Sequence, residues 1–281
     1  VPLKAVSSPR WIAVLLTVLI LIFAARCYLT YDVFSETADE AVHLAAGLEV
    51  WQHGRYTLEP QHPPLGRAAI ALLPFLAGVR VPIPPTPERP LRVSGWFAGQ
   101  PAAYWRTLRL ARLGNLIFLP FLVIYVYLWG RRLAGPGAGV AAAALVSFSP
   151  NLLAHASLAT LDFGAATTIF IASYHFWRWS QEPSRRNGLV AGVAFGLAIV
   201  TKFSALFLTP PLVVVFFLLA GKSGKLTTIS DRPRLPSLAQ VVWFAAATVI
   251  VVWSAYGFGV GPLPPAQFLT PPFGRAYHFQ Q

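Results

Sequence analysis

Residues 11–28 read WIAVLLTVLILIFAARCY, a run of apolar side chains that contains one charge, Arg26. An α-helix needs about 20 predominantly apolar residues to cross the hydrocarbon core of a membrane. The apolar region of a cleaved signal peptide is shorter, about 7–15 residues, and is followed by small residues at the cleavage site. This run is longer and lacks a clear cleavage site, so we predict that it remains as a membrane anchor.

The composition of the whole chain leads to the same class of protein. Of its 281 residues, 56% are hydrophobic and 11% are charged, whereas soluble domains carry about 25% charged residues. The sequence therefore predicts an all-α, polytopic bundle of transmembrane helices that forms a single domain over residues 1–281. Seven spans are predicted, at 11–28, 108–129, 137–149, 159–179, 188–200, 204–220 and 238–258. The third and fifth of these are short and either extend into their flanks or dip into the bundle.

The basic residues predict how these spans are oriented. The net charge is +12, but most of the Lys and Arg side chains lie in short loops, where they indicate topology and lipid-headgroup contacts rather than a nucleic-acid partner. If all seven spans cross, four basic segments fall on one side, which the positive-inside rule makes cytoplasmic. These segments contain Lys4 and Arg10, Arg131 and Arg132, Arg178, Arg185 and Arg186, and Lys222, Lys225, Arg232 and Arg234.

The segment between the first two spans, residues 29–107, is then the first exterior loop. It contains seven of the ten acidic residues of the chain, so we predict that it is the chemical face of the protein. Within it, residues 39–53 and 64–79 are predicted to form helices along the membrane surface. Residues 81–90 include five prolines and predict a stiff extended linker.

The beginning of the first of these helices carries adjacent acids and a histidine. Thr37 and Glu40 have the spacing of a capping box, in which each side chain satisfies a backbone amide at the helix start. Asp39 and Glu40 lie four and three residues before His43, so all three fall on one side of the first turns. The simpler alternative is that the two acids complement the positive end of the helix dipole.

A second pattern predicts helix packing. Gly188, Gly192 and Gly196 recur every four residues, and small residues at this spacing let membrane helices approach closely. The single cysteine, Cys27, cannot form a disulfide within the chain.

Three ordered blocks resemble the GT-C superfamily of membrane glycosyltransferases. They are most similar to the branch of protein O-mannosyltransferases and bacterial aminoarabinose transferase-like proteins. The blocks are DEAVHL at 39–44 with HPPL at 62–65, SPNLLAH at 149–155 continuing to ATLD at 159–162, and the segment from Gly192 to Gly196 leading into TKFSAL at 201–206. Members of this branch are usually longer, so we expect the chain to lack the C-terminal part of the family.

The resemblance implies an inverting glycosyltransferase. Such an enzyme moves a sugar from a polyprenyl-phosphate donor to an acceptor hydroxyl of a protein, lipid or glycan, at the exterior face of the cell (inner) membrane. It also implies that Asp39 is the catalytic base. This role suits a carboxylate, because an acceptor hydroxyl becomes an effective nucleophile when a nearby base takes its proton. Cationic side chains would stabilise the phosphate that leaves.

Further candidates accompany Asp39, each with a structural alternative. Glu40 and His43 are predicted catalytic residues, although Glu40 also fits a capping role and His43 a packing role. The predicted substrate-binding residues are His62, Arg67, Arg55, Asp162 and Lys202. His62 also suits a loop-fixing contact, the arginines surface anchors, Asp162 a helix cap and Lys202 a snorkelling anchor. No metal site is predicted, but a divalent cation at the Asp39–Glu40 pair remains open.

Two other classes of protein stay open at this point. A secondary transporter or lipid flippase would use Asp162 and Lys202 as coupling charges at the middle of the membrane. The clustering of polar residues on one face and the lack of visible inverted repeats disfavour that alternative. The third possibility is a non-catalytic membrane scaffold that has lost residues needed for turnover.

Overall fold

A computed structural model describes residues 8–54, 56, 58–59, 61–81, 103–207, 209, 211, 214 and 236–259. The regular structure within these residues is α-helical, which confirms the predicted fold class. In chain order the helices are α1 (Pro9–Tyr28), α2 (Ala38–His53), α3 (Pro64–Leu76), α4 (Tyr104–Asn115), α5 (Phe118–Phe148), α6 (Pro150–Ala156), α7 (Leu161–Gln181), α8 (Arg185–Thr201) and α9 (Leu238–Ala255).

Fewer helices of the described structure are long and apolar enough to cross a membrane than the seven spans that the sequence predicts. In the described part of the chain, three segments are long and apolar enough to cross, namely α1, the α4–α5 segment and α9. The helices α6 and α7, which meet at a bend of 120°, make a fourth if they count as one broken span. The predicted number of seven is not confirmed. Helix α8 has 17 residues, and most of the predicted span 204–220 lies outside the described residues.

The chain reverses direction within α5. Non-helical backbone at Ala134 and Gly135 interrupts the helix, and Gly135 has a φ of 88°, which favours glycine. Beyond the break, a Cβ atom on Gly139 would lie 2.6 Å from the carbonyl oxygen of Tyr127. In one straight helix, residues twelve positions apart are about 18 Å apart. The two halves of α5 therefore pack against each other as a hairpin, in agreement with the predicted break between the second and third spans.

Helix α3 lies at the centre of the fold, where it contacts α2, α4, α7 and α8. Its approach to α2 is close at Gly47, where an added Cβ atom would overlap the carbonyl oxygen of Arg67. The apolar contacts of α2, α3 and α4 form one buried cluster that includes Leu44, Ile70 and Leu108. Both helices predicted in the first loop are thus present, and α3 packs them against the rest of the bundle.

The predicted glycine stripe on α8 is a packing surface. An added Cβ atom on Gly192 would overlap the carbonyl oxygen of Phe244 in α9, and one on Gly196 would lie 2.8 Å from Cβ of Val251. An added Cβ atom on Gly188 would lie 3.2 Å from the carbonyl oxygen of Gln240. Since contacts advance along both helices together, α8 and α9 run parallel. The packing prediction is confirmed.

Candidate active site

Several helix ends from distant parts of the sequence meet at one end of the bundle. The start of α2 contacts the loop before α7, where Ala159 N donates a 2.7 Å hydrogen bond to Glu40. The start of α3 meets the start of α7 and the C-terminal end of α8, because Gly66 faces Leu161 and the carbonyl oxygen of Thr201. The C-terminal end of α9 is close as well, since Tyr56 donates a hydrogen bond to Ala255 O. We call this end the loop end.

Asp39 is the second residue of α2 and is exposed at the loop end. Its carboxylate lies at the N-terminal end of the helix, where acidic side chains interact favourably with the helix dipole. His43, one turn further along α2, interacts electrostatically with Asp39 and with Asp162 of α7. A solvent-accessible carboxylate at this position can accept a proton from a bound hydroxyl.

Glu40 is buried although it adjoins Asp39, with 1% of its surface exposed. Arg112 of α4 binds both of its oxygens, with Nε 2.8 Å from Oε1 and Nη2 3.0 Å from Oε2. The backbone amides of Thr37 and Ala159 donate to the same two oxygens. The bond from Thr37 N is one half of the predicted capping box. Four donors thus occupy the Glu40 carboxylate, which leaves it little capacity for a cation shared with Asp39.

Arg112 also fixes the loop that leads into α2. Its guanidinium donates hydrogen bonds to the carbonyl oxygens of Tyr31, Phe34 and Ser35, at 2.7, 3.1 and 3.1 Å. Arg112 was not among the predicted site residues. The available signal was an arginine inside a predicted span, because charged residues in such segments are usually paired and important.

A second buried cluster contains His43, Glu59 and His62. One ligand-type atom of each side chain lies within 4.8 Å of the others. His62 Nδ1 is 3.0 Å from Glu59 Oε1, and the two imidazole rings are 5.1 Å apart. Burial lowers the pKa of His43 to about 4, with a further contribution from His62. His43 is therefore neutral near pH 7 and retains a free nitrogen lone pair.

Arg67 contacts this cluster from the protein interior. It is fully buried and donates to the carbonyl oxygens of Glu59 and Pro63 at 2.5 and 3.1 Å. Its Nη2 is 3.4 Å from Glu59 Oε2. Burial opposes ionisation of Glu59, but the contacts with His62 and Arg67 outweigh it and hold the pKa of this carboxyl below its usual value. Glu59 was not among the predicted site residues, despite its position three residues before His62.

Asp162 and Lys202 form an ion pair across the start of α7 and the end of α8. Lys202 Nζ is 2.5 Å from Asp162 Oδ1, and the side chains are 29% and 46% exposed. His155 Nδ1 lies 3.8 Å from the other oxygen of Asp162. The two residues are 40 positions apart in the sequence, so the fold brings them together.

The predicted site residues are thus mostly brought together at the loop end. Asp39, Glu40, His43, His62, Asp162 and Lys202 meet there, and Arg67 lies beneath them in the protein interior. Arg55 lies outside the described residues, as does most of the proline-rich linker.

The family model described as dolichyl-phosphate-mannose-protein mannosyltransferase matches residues 106–253, just over half of the chain. The chain belongs to this family. No curated protein and no solved structure matches it. Membership identifies a membrane glycosyltransferase of the mannosyltransferase type. Proteins of this family are associated with a lipid-linked sugar donor and an acceptor. The matched residues include Asp162 and Lys202 but begin after the loop that carries Asp39.

Proposed function

We propose that this chain is an inverting glycosyltransferase that moves a sugar from a polyprenyl-phosphate donor to an acceptor hydroxyl at the exterior face of the membrane. The observation that supports this most is the contrast between two adjacent acids. Glu40 is locked in a buried ion pair with Arg112, while Asp39 is exposed beside it. The pair holds the start of α2, and α2 presents Asp39 at the loop end.

Asp39 is the general base in this proposal. The acceptor oxygen attacks the anomeric carbon from the face opposite the phosphate, and the acceptor proton passes to the Asp39 carboxylate. The bond between the anomeric carbon and the phosphate oxygen breaks, so the electron pair leaves with the polyprenyl phosphate and the configuration inverts. General-base catalysis of this kind contributes about 10²–10⁴-fold to the rate.

Lys202 is the proposed contact for the donor phosphate. An ammonium group has three hydrogen-bond donors, and within the described part of the chain Lys202 Nζ donates to Asp162. The remaining N–H groups, on a side chain that is 29% exposed, are available to phosphate oxygens. Arg67, the other predicted phosphate contact, is fully buried and bound to Glu59 and Pro63, so we assign it to holding the loop.

The transporter alternative fits the geometry less well. Coupling charges of transporters usually lie near the middle of the membrane, between helices. Asp162 and Lys202 instead lie where α7 begins and α8 ends, and both are partly exposed. This position suits a headgroup at the end of the bundle.

The test is sugar transfer by purified protein in proteoliposomes, with a radiolabelled polyprenyl-phosphate sugar as donor. We expect Asp39→Asn to lower the rate by at least about 10²-fold, because the amide cannot take the acceptor proton. The matched control is Asp32→Asn, which makes the same chemical change at an exposed acid of the same loop. That control should keep wild-type transfer.

Two results would contradict the proposal. Wild-type turnover in folded Asp39→Asn protein would show that Asp39 is a helix-dipole partner and that the base lies elsewhere. Movement of labelled lipid between leaflets by the wild-type protein, with no transfer to any acceptor, would instead identify a transporter or flippase.

A further inference from the structure

We propose that His43, Glu59 and His62 bind a transition-metal ion of the Zn²⁺ type, and that this ion fastens α2 to the start of α3. The family match assigns no metal to the chain, and the three residues precede the matched segment. Two imidazole nitrogens and one carboxylate oxygen are a common donor set for Zn²⁺. Hard cations such as Mg²⁺ and Ca²⁺ prefer sites made of oxygen atoms.

The positions of the ligand atoms support this site. The three candidate atoms lie within 4.8 Å of one another, whereas ligand atoms of a tetrahedral Zn²⁺ ion are about 3.4 Å apart for bond lengths near 2.1 Å. His62 Nδ1 and Glu59 Oε1 are already 3.0 Å apart. Small rotations of the side chains would close the remaining gap to His43.

Unsatisfied polar atoms occur on the side chains of this cluster. His43 Nδ1 is buried and has no hydrogen-bond partner, and the residue as a whole is 6% exposed. A buried polar atom without a partner is destabilising, so this nitrogen is a candidate for an additional contact. Coordination to a metal ion would satisfy this nitrogen and restrain the ring.

The surroundings provide the outer contacts that metal ligands usually have. Ligating carboxylates are commonly hydrogen-bonded by a neighbouring group, which orients them. Arg67 fills that place, since it contacts Glu59 Oε2 and also donates to the Glu59 carbonyl oxygen. Glu49 of α2 accepts a hydrogen bond from Leu58 N, which fixes the chain one residue before the ligand. His62 is 31% exposed, which gives an ion a route from solvent.

The consequence would be a fixed loop beside the proposed base. The ion would join His43 on α2 to two residues of the segment before α3, and His43 lies one turn after Asp39. The site differs from the cation position considered for Asp39 and Glu40, because the Glu40 oxygens are occupied by Arg112 and two amides.

The experiment measures metal binding by the full chain in detergent, without donor or acceptor, so its outcome is separate from sugar transfer. Purified protein is loaded with Zn²⁺, dialysed and assayed by mass spectrometry of the metal, and Co²⁺ substitution reports the ligand field by visible absorption. We expect one Zn²⁺ per chain and a tetrahedral Co²⁺ spectrum. Since loss of an outer contact already weakens metal affinity by about 10–100-fold, His62→Gln should weaken it by at least that factor.

Two further variants make the result decisive. The matched control is His53→Gln, which removes an exposed histidine from the same helix and should leave metal binding unchanged. His62→Cys replaces one zinc ligand by another, so it should still bind the ion and should add a sulfur-to-cobalt charge-transfer band. The proposal is overturned if the wild-type chain and His62→Gln retain the same amount of Zn²⁺, or if folded His62→Cys shows no such band.

Discussion

At the scale of single residues, two adjacent carboxylates have opposite environments. The capping-box spacing predicted that Glu40 would face the start of its own helix, and the bond from Thr37 N confirms this. The pairing of Arg112 with Glu40 could not be predicted, because the two residues are 72 positions apart and meet only when α4 packs beside α2. Asp39 was predicted as the catalytic base through the family resemblance, and its exposure is a feature of the fold.

We expect Glu40→Gln to destabilise the protein severely. The substitution leaves the buried Arg112 guanidinium without a counter-charge, and removing one partner of a buried ion pair costs about 3–5 kcal/mol. The midpoint of thermal unfolding in detergent should therefore fall clearly. Asp32→Asn, which breaks the exposed pair with Arg109, serves as the control and should leave the midpoint almost unchanged, because exposed ion pairs contribute little to stability. An equal, small effect of both substitutions would mean that the buried pair contributes little.

Lys202→Ala tests the proposed phosphate contact. Its ion pair with Asp162 is partly exposed, so its loss should change stability by less than about 1 kcal/mol. Donor affinity and transfer rate should both fall, because a phosphate would lose a cationic partner. Binding of labelled donor and initial rates measure the two effects. If both stayed at the wild-type level in a folded variant, Lys202 would be a membrane anchor.

At the scale of helices, short-range patterns were the most informative. The recurring glycines predicted a packing surface, and the structure places α9 against it. The spans on either side of residues 130–136 were predicted as separate helices, and the reversal at Ala134 and Gly135 agrees with this. What the sequence could not show was which helices become neighbours, since the central position of α3 depends on contacts between distant segments.

We expect Gly192→Leu to separate α8 from α9. A side chain at this position would overlap the carbonyl oxygen of Phe244, and backbone at a helix contact cannot yield without moving the helix. Such overpacking costs about 1–3 kcal/mol or more, which should lower the thermal midpoint. Val190→Leu is the matched control, since Val190 is an exposed residue of the same helix. A Gly192→Leu variant as stable as that control would contradict the close packing.

At the scale of the whole molecule, the proposed site and the arginines of the predicted cytoplasmic loops lie at opposite ends of the bundle. The proposed site residues lie at the loop end. At the other end, Arg131 and Ile12 of α1 line one cavity, Trp129 contacts Trp177 and Arg185 stacks on Trp243. Because α8 and α9 run parallel, the chain is at the loop end at Thr201 and at the basic end by Leu238. This arrangement agrees with the predicted topology, in which the short basic segments lie on one side of the membrane and the site residues on the other.

The side of the membrane that each end faces can be tested by cysteine labelling in intact cells. The background is first removed with Cys27→Ala, and Cys27 is itself buried. Ser35→Cys places a thiol on an exposed position beside α2 at the loop end, and Arg186→Cys places one on an exposed position at the basic end. By the positive-inside rule, an impermeant maleimide added outside should label the first variant, and the second only after the membrane is permeabilised.

Nucleotide-linked sugars are found in the cytoplasm, so an exterior loop end would leave a lipid-linked donor as the available source of sugar. Labelling in the reverse pattern would place Asp39 on the cytoplasmic side and remove this reason for a polyprenyl-phosphate donor.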